Sequence, residues 1–183
     1  DSDPAGITFN TDGTKMFITG KDGDDINEYN LSTGFDVSTA SFVDAFSISS
    51  QDGTVFGVEF NTDGTKMFVV GSDDNDVNEY TLTTGFNVST ASFVDSFSVS
   101  SQTAKPSAVQ FDSDGTKMYV LGGDTIPIIY QYTLTTGFDV STATYASKSF
   151  VTTTQEDAPQ ALSFNTDGTK MFVVGSGTDT VYE

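Results

Sequence analysis

Any chemistry in this chain falls to carboxylates. The sequence holds 26 Asp and Glu against seven Lys, with no Arg, no His and no Cys. The imidazole proton shuttle, the thiolate nucleophile and the guanidinium clamp are all missing, so a Ser–His–Asp hydrolase is excluded for the chain alone. Carboxylates offer acid–base work of the glycosidase kind, which needs only a pair of them, or the binding of a hard cation. The densest candidates are Asp22, Asp24 and Asp25 in one short segment, and Asp73, Asp74 and Asp76 in another. Three carboxylates in one loop supply hard oxygen ligands for calcium, with carbonyls and water completing the shell. The spacing is not that of an EF-hand loop, and a solvated acidic loop is the competing reading of the same residues.

The two acidic segments recur because the whole chain does. Phe-Asn-Thr-Asp-Gly-Thr-Lys-Met-Phe begins at Phe9, returns at Phe60 and Phe164, and appears at Phe111 as Phe-Asp-Ser-Asp-Gly-Thr-Lys-Met-Tyr. The starts are 51, 51 and 53 residues apart. A repeat of this length built from short strands is the signature of a propeller blade. Each unit reads as four strands. The first ends at Ile7-Thr-Phe9 and its copies, and an Asp-Gly turn follows, where glycine supplies the positive φ of a tight hairpin. The second strand, such as Lys66-Met-Phe-Val-Val, is apolar on both faces; the third alternates, as in Val77-Asn-Glu-Tyr-Thr-Leu82. A Thr-Gly-Phe-Asp-Val-Ser-Thr-Ala type of loop leads to the fourth. The expected fold is all-β, a β-propeller of four-stranded antiparallel blades at roughly 1–51, 52–102, 103–155 and an incomplete 156–183, about three and a half blades in one propeller or part of one.

Residues shared by every blade are first of all scaffold. The 16 Phe and seven Tyr fall mostly at repeated positions and are assigned to packing between blades. Gly6, Gly57, Ala108 and Ala161 open the first strand of each unit, which fits that strand converging near the axis. Function is therefore sought where the repeat is broken. Phe56 stands at the slot of Ala5, Ser107 and Gln160; Tyr130 and Tyr182 replace Asn27 and Asn78. These aromatics offer a face for a sugar ring, or are neutral differences between blades. Glu59 occupies the slot of Thr8, Gln110 and Ser163 and is expected to face the axial channel, with a hydrated channel wall as the plainer reading. The third unit has one extra residue near Ser147-Lys148, where a strand bulge is expected.

A formal net charge of −19 repels phosphate backbones and anionic lipid, so neither nucleic acid nor a membrane is an expected partner. No apolar stretch has the length of a membrane helix. The Ser, Thr, Gly and Asp content suits an extracellular or virion-surface setting. A final blade cut in its third strand leaves a hydrogen-bonding edge open, which fits a fragment of a longer repeat protein or a homo-oligomer closing the ring.

The string Phe-x-x-Asp-Gly-Thr-Lys-Met-[Phe/Tyr]-Val, followed by glycine, an acidic loop and Glu-Tyr-Thr-Leu-[Ser/Thr]-Thr-Gly-Phe, resembles tandem propeller repeats of marine bacteriophage and bacterial surface proteins. More distantly it is similar to propellers of the YVTN and NHL types. That resemblance covers the whole chain and implies a non-enzymatic surface or tail-associated module. The expectation is thus a non-catalytic scaffold displaying rim loops to a glycan or protein partner, with no cofactor or with calcium. The alternatives are a lactonase-like or glycosidase-like propeller enzyme using channel carboxylates, and a structural oligomer with blades completed between subunits.

Overall fold

The computed structural model describes residues 2–183. Four antiparallel sheets follow one another along the chain, each a consecutive meander. The first comprises β1 (Pro4–Phe9), β2 (Lys15–Gly20), β3 (Asp25–Leu31) and β4 (Ala40–Ser47). The second comprises β5 (Val55–Phe60), β6 (Lys66–Gly71), β7 (Asp76–Leu82) and β8 (Ala91–Ser98). The third comprises β9 (Pro106–Phe111), β10 (Lys117–Gly122), β11 (Ile128–Leu134) and β12 (Ala143–Val151). The fourth has three strands, β13 (Pro159–Phe164), β14 (Met171–Gly175) and β15 (Val181–Tyr182). The four sheets are the blades of a propeller, and β1, β5, β9 and β13 neighbour one another along its axis. No helix among the described residues is long and apolar enough to cross a membrane.

The turn after each innermost strand shows how the repeat encodes its hairpins. Asp63 Oδ1 accepts from the Thr65 amide at 3.0 Å and from its hydroxyl at 2.6 Å, while Asn61 Oδ1 accepts from the Lys66 amide at 2.9 Å. Gly64 takes φ +71°, which a side chain at that position resists. Against that glycine lies the ring of Phe86, itself left-handed at φ 56°, so a Cβ on Gly64 would run into the aromatic ring. Near the axis the constraint is proximity: a Cβ on Gly6 would strike the Phe56 carbonyl oxygen of the next blade. Small residues at the start of the innermost strands are what let the blades converge.

The core lies between blades. Phe17 of the first blade packs on Phe60 of the second at 4.5 Å between ring centroids, and Phe68 packs on Phe111 of the third at 4.3 Å. Tyr119 meets Phe164 of the fourth at 4.6 Å. Phe17 and Phe68 are fully buried, each stabilising the fold by about 2 kcal/mol through area removed from water.

A buried polar clasp accompanies the rings. Glu28 is ion-paired with Lys15, and its other oxygen accepts from the Val88 amide of the next blade at 3.0 Å. Lys15 Nζ also donates to the Phe86 carbonyl at 2.8 Å. One blade on, Glu79 pairs with Lys66 at 2.6 Å and accepts from the Val140 amide at 2.9 Å, while Lys66 donates to the Phe138 carbonyl at 2.6 Å. Both partners of each pair thus have further hydrogen bonds across the blade boundary, as a buried charge requires.

Outer strands carry bulges. Glu79 pairs with Asp95 and Tyr80 with Phe93, so one residue is skipped; Gln131 pairs with Lys148 and Tyr132 with Tyr145, so two are skipped. The extra residue of the third blade is absorbed there, with Ser147 at φ 56°.

Candidate functional site in the axial channel

The innermost strands are almost free of ionisable groups. Across β1, β5, β9 and β13, Glu59 is the only one. It sits on β5 between Val58 and Phe60, whose side chains are buried against the first blade. Alternation along the strand sends Glu59 the other way, toward the third blade. There Gln110 Nε2 donates to Glu59 Oε2 at 2.7 Å. Thr8, Glu59, Gln110 and Ser163 hold one repeat slot, and together they line an axial cavity of about 450 Å³. Glu59 and Thr8 also line a second cavity, of about 240 Å³, toward the turn end of the channel.

Glu59 keeps a small exposed surface on the channel while protein crowds the rest of it. Burial pushes its carboxyl up to about 8 from an ordinary 4.5, against the opposing effect of the Gln110 hydrogen bond. At neutral pH burial therefore favours the protonated carboxylic acid. Such a group donates a proton at one oxygen while the other accepts from Gln110. A carboxyl raised toward neutrality inside a concave cavity is the arrangement acid–base chemistry uses.

Phe56, on the same strand, lies where this cavity meets a third one of about 530 Å³ at the opposite mouth. Its ring lies under the Lys21 ammonium at 5.3 Å. Lys21 and Lys105 both line that mouth, with Asp3 3.5 Å from Lys21. The structure thus brings Phe56 and Glu59 to one channel. It does not bring Tyr130 or Tyr182 there. Tyr130 lies on β11 beside Tyr145, 6.1 Å between centroids, packed on the core between the second and third blades, and Tyr182 lies on the short β15.

The acidic segments do not assemble. Asp22 accepts from Ser2, Asp25 accepts from Asn27 at 2.6 Å, and Asp76 accepts from Ser96 at 3.0 Å. Asp24 sits at φ 47° in the turn, while Asp73 and Asp74 are exposed. No three acidic side chains converge as a metal site among the described residues. Their donors come from different parts of the chain, with only Asn27 local to the turn, and Asp24 Oδ1 is buried with no partner among the described residues.

Composition had drawn attention to these loops and away from the buried acids. Glu28 and Glu79 are core residues of the clasp. Asp52 and Glu156 tie the loop before an innermost strand to the loop after its neighbour: Asp52 accepts from the Asp73 amide at 3.4 Å, Glu156 from the Gly177 amide at 2.8 Å. The signal for the clasp was present as Lys followed by Glu 13 residues later in the first, second and fourth units.

No family model matches the chain, nor does any curated protein sequence. Its fold is nevertheless shared by many solved structures. A protein of Bacteroides uniformis, provisionally named a 6-phosphogluconolactonase, aligns with a TM-score of 0.65 at 13% identity, over 97% of this chain and 49% of its own. A protein of Bacteroides fragilis with the same provisional name gives 0.66 at 13% identity, again over 97% and 49%. A β-propeller domain (Swd1) of Myceliophteria thermophila gives 0.60 at 10% identity, over 97% and 52%. The chain spans about half the length of these structures. At such identities the likeness establishes the propeller architecture. The expectation of a non-catalytic display scaffold is corrected at this point. Two of the similar propellers carry the provisional 6-phosphogluconolactonase name, and burial raises the pKa of the one carboxyl on the channel wall, which favours the lactonase-like alternative over that scaffold.

Proposed function

We propose that the axial channel hydrolyses a cyclic ester of sugar-acid size, with Glu59 as the acid that protonates the departing ring oxygen. The observation carrying this reading is the Glu59 carboxyl, raised to about 8 and alone among ionisable groups on the innermost strands. The provisional names of the two Bacteroides propellers support the substrate class. Water adds to the lactone carbonyl carbon and the ring C–O bond breaks. Glu59 gives its proton to the ring oxygen and regains one from the attacking water. The product is an open hydroxy acid, with water as the sole co-reactant. Gln110, holding Oε2, fixes the carboxyl so that Oε1 presents the proton to the cavity. Thr8 and Ser163, on the same cavity wall, offer hydroxyls to a polyhydroxylated substrate. Lys21 and Lys105 at one mouth suit an anionic substituent.

The test is acid release from gluconolactone and its 6-phosphate, followed by continuous base titration, with the protein and with Glu59→Gln. Gln keeps the shape and polarity of the side chain and lacks the proton. General acid catalysis contributes about a hundredfold or more, so the protein should open the ring at least that much faster than buffer and the variant should lose most of the gain. Equal rates for the two proteins reject the role of Glu59, and no rate above buffer with either lactone rejects the activity.

A further inference from the structure

An Asp-Gly step is a place where a chain can react with itself. The glycine amide, unhindered by a side chain, attacks the carboxyl of the aspartate before it and closes a five-membered imide. The sequence has six such steps, at 12–13, 22–23, 52–53, 63–64, 114–115 and 167–168. Closure needs a protonated carboxyl, so that its oxygen leaves as water, and an amide that no hydrogen bond holds. Four of the steps are the hairpin turns, and they lack both conditions. Asp12, Asp63, Asp114 and Asp167 are held below the usual carboxylate range by the hydroxyl, and next the amide, of the threonine two residues on. Their glycine amides are occupied: Gly13 donates to the Asn10 carbonyl at 3.1 Å, and Gly64, Gly115 and Gly168 donate to those of Asn61, Asp112 and Asn165 at 3.0 Å.

Asp52–Gly53, in the loop between β4 and β5, is the opposite case. Asp52 is 2% exposed. Its Oδ1 accepts from the Thr54 amide at 2.8 Å and the Asp73 amide at 3.4 Å. Its Oδ2 is buried with no hydrogen-bond partner among the described residues. Burial pushes the carboxyl up, and the Asp73 carboxylate adds to this, against the amide hydrogen bonds. A buried oxygen without a donor is accommodated better on a neutral carboxyl than on a charged one. The bond to the Thr54 amide folds the side chain back over the Gly53 peptide. The Gly53 amide itself has no hydrogen-bond partner among the described residues. Where a Cβ of residue 53 would stand, its near neighbour is the Asp73 Oδ2 atom at 2.8 Å.

We infer that Asp52–Gly53 is a site of spontaneous covalent modification, at which the main chain reroutes itself through the side-chain carboxyl. The Gly53 nitrogen bonds to Asp52 Cγ, and the Oδ2 hydroxyl leaves with the amide proton as water. Water then adds to one of the two imide carbonyls. Addition at Cγ restores aspartate. Addition at the Asp52 main-chain carbonyl carbon breaks its bond to the Gly53 nitrogen, which regains a proton, and leaves an isoaspartyl link one methylene longer. Water is the only other reactant. The rerouted residue no longer presents Oδ1 to the Thr54 and Asp73 amides, so the tie between the loops before β5 and after β6 is lost. Because β5 carries Phe56 and Glu59, the change acts on the wall of the axial channel. This inference stands apart from the hydrolysis reading, since it is read from the position of an isoaspartate and not from turnover.

The experiment is to age the folded protein in warm neutral buffer and map its peptides by mass spectrometry. The imide shows as the loss of one water, and electron-transfer fragmentation locates isoaspartate within a peptide. A sample held in denaturant gives the rate of each step without the fold. In the folded protein, imide plus isoaspartate at Asp52 should exceed the sum at the four hairpin aspartates. Gly53→Ala places a methyl group against the attack and displaces only the exposed Asp73 side chain. That variant, checked for its fold by circular dichroism, should lose most of the modification at Asp52 and keep the hairpin sites as they were. Hairpin sites modified as much as Asp52 overturn the inference. So does an Asp52 left intact in the fold after the denatured chain has reacted there, or an Asp52 rate unchanged in Gly53→Ala.

Discussion

At the scale of single residues, Glu59 connects function with stability. Its folded carboxyl titrates near 8 and an unfolded one near 4.5, so between those values the native state holds a proton that the unfolded state has lost. Stability contributed by this group is complete below the unfolded value and declines as pH rises through the folded one. The full penalty is at most on the order of 5 kcal/mol, reduced by whatever water reaches the group from the channel. Glu59→Gln removes the titration, so denaturant unfolding should show the variant equal to the parent at acid pH and more stable above neutrality. A variant less stable than the parent at alkaline pH would mean that the carboxylate is well accommodated. The position of Glu59 was legible in the sequence, as a break in a repeated slot. Its acidity was not, because that comes from burial by chain distant in sequence, opposed by the hydrogen bond from Gln110, 51 residues away on the next blade.

At the scale of elements, the strands, the Asp-Gly turns and the bulge near Ser147 follow from repeat register and turn chemistry. What the local pattern hid was the pairing between units. Phe86 reads as one more apolar residue, yet it adopts a left-handed backbone to cover Gly64. The acidic loops read either as calcium ligands or as solvated turns, because composition counts carboxylates without their directions. The glycine turns give a direct comparison. Gly64 and Gly168 share a left-handed φ, but a Cβ on Gly64 meets the Phe86 ring, while one on Gly168 meets nothing within 4 Å. Both Gly64→Ala and Gly168→Ala carry backbone strain of about 1 kcal/mol. Gly64→Ala adds a steric clash and should lower the melting temperature clearly more than Gly168→Ala does. Equal losses would show that the Phe86 ring yields without cost.

At the scale of the whole molecule, the interblade contact organises everything else. It buries the aromatic rings, satisfies Glu28 and Glu79, and sets the crowding around Glu59 by bringing Gln110 alongside. The propeller and the open strand edge of its last blade were legible from the period of the sequence, but the burial of each repeated residue was not, because identical residues are buried in one blade and bare in another. The account turns on a neutral acid in the channel. The most direct measurement is a carbon-13 titration of the side-chain carboxyls, with Glu59 identified by the signal lost in Glu59→Gln. The account predicts that this one resonance has its midpoint near 8. A midpoint near the ordinary glutamate value of about 4.3 would contradict it, leaving the channel with a carboxylate and no acid to give.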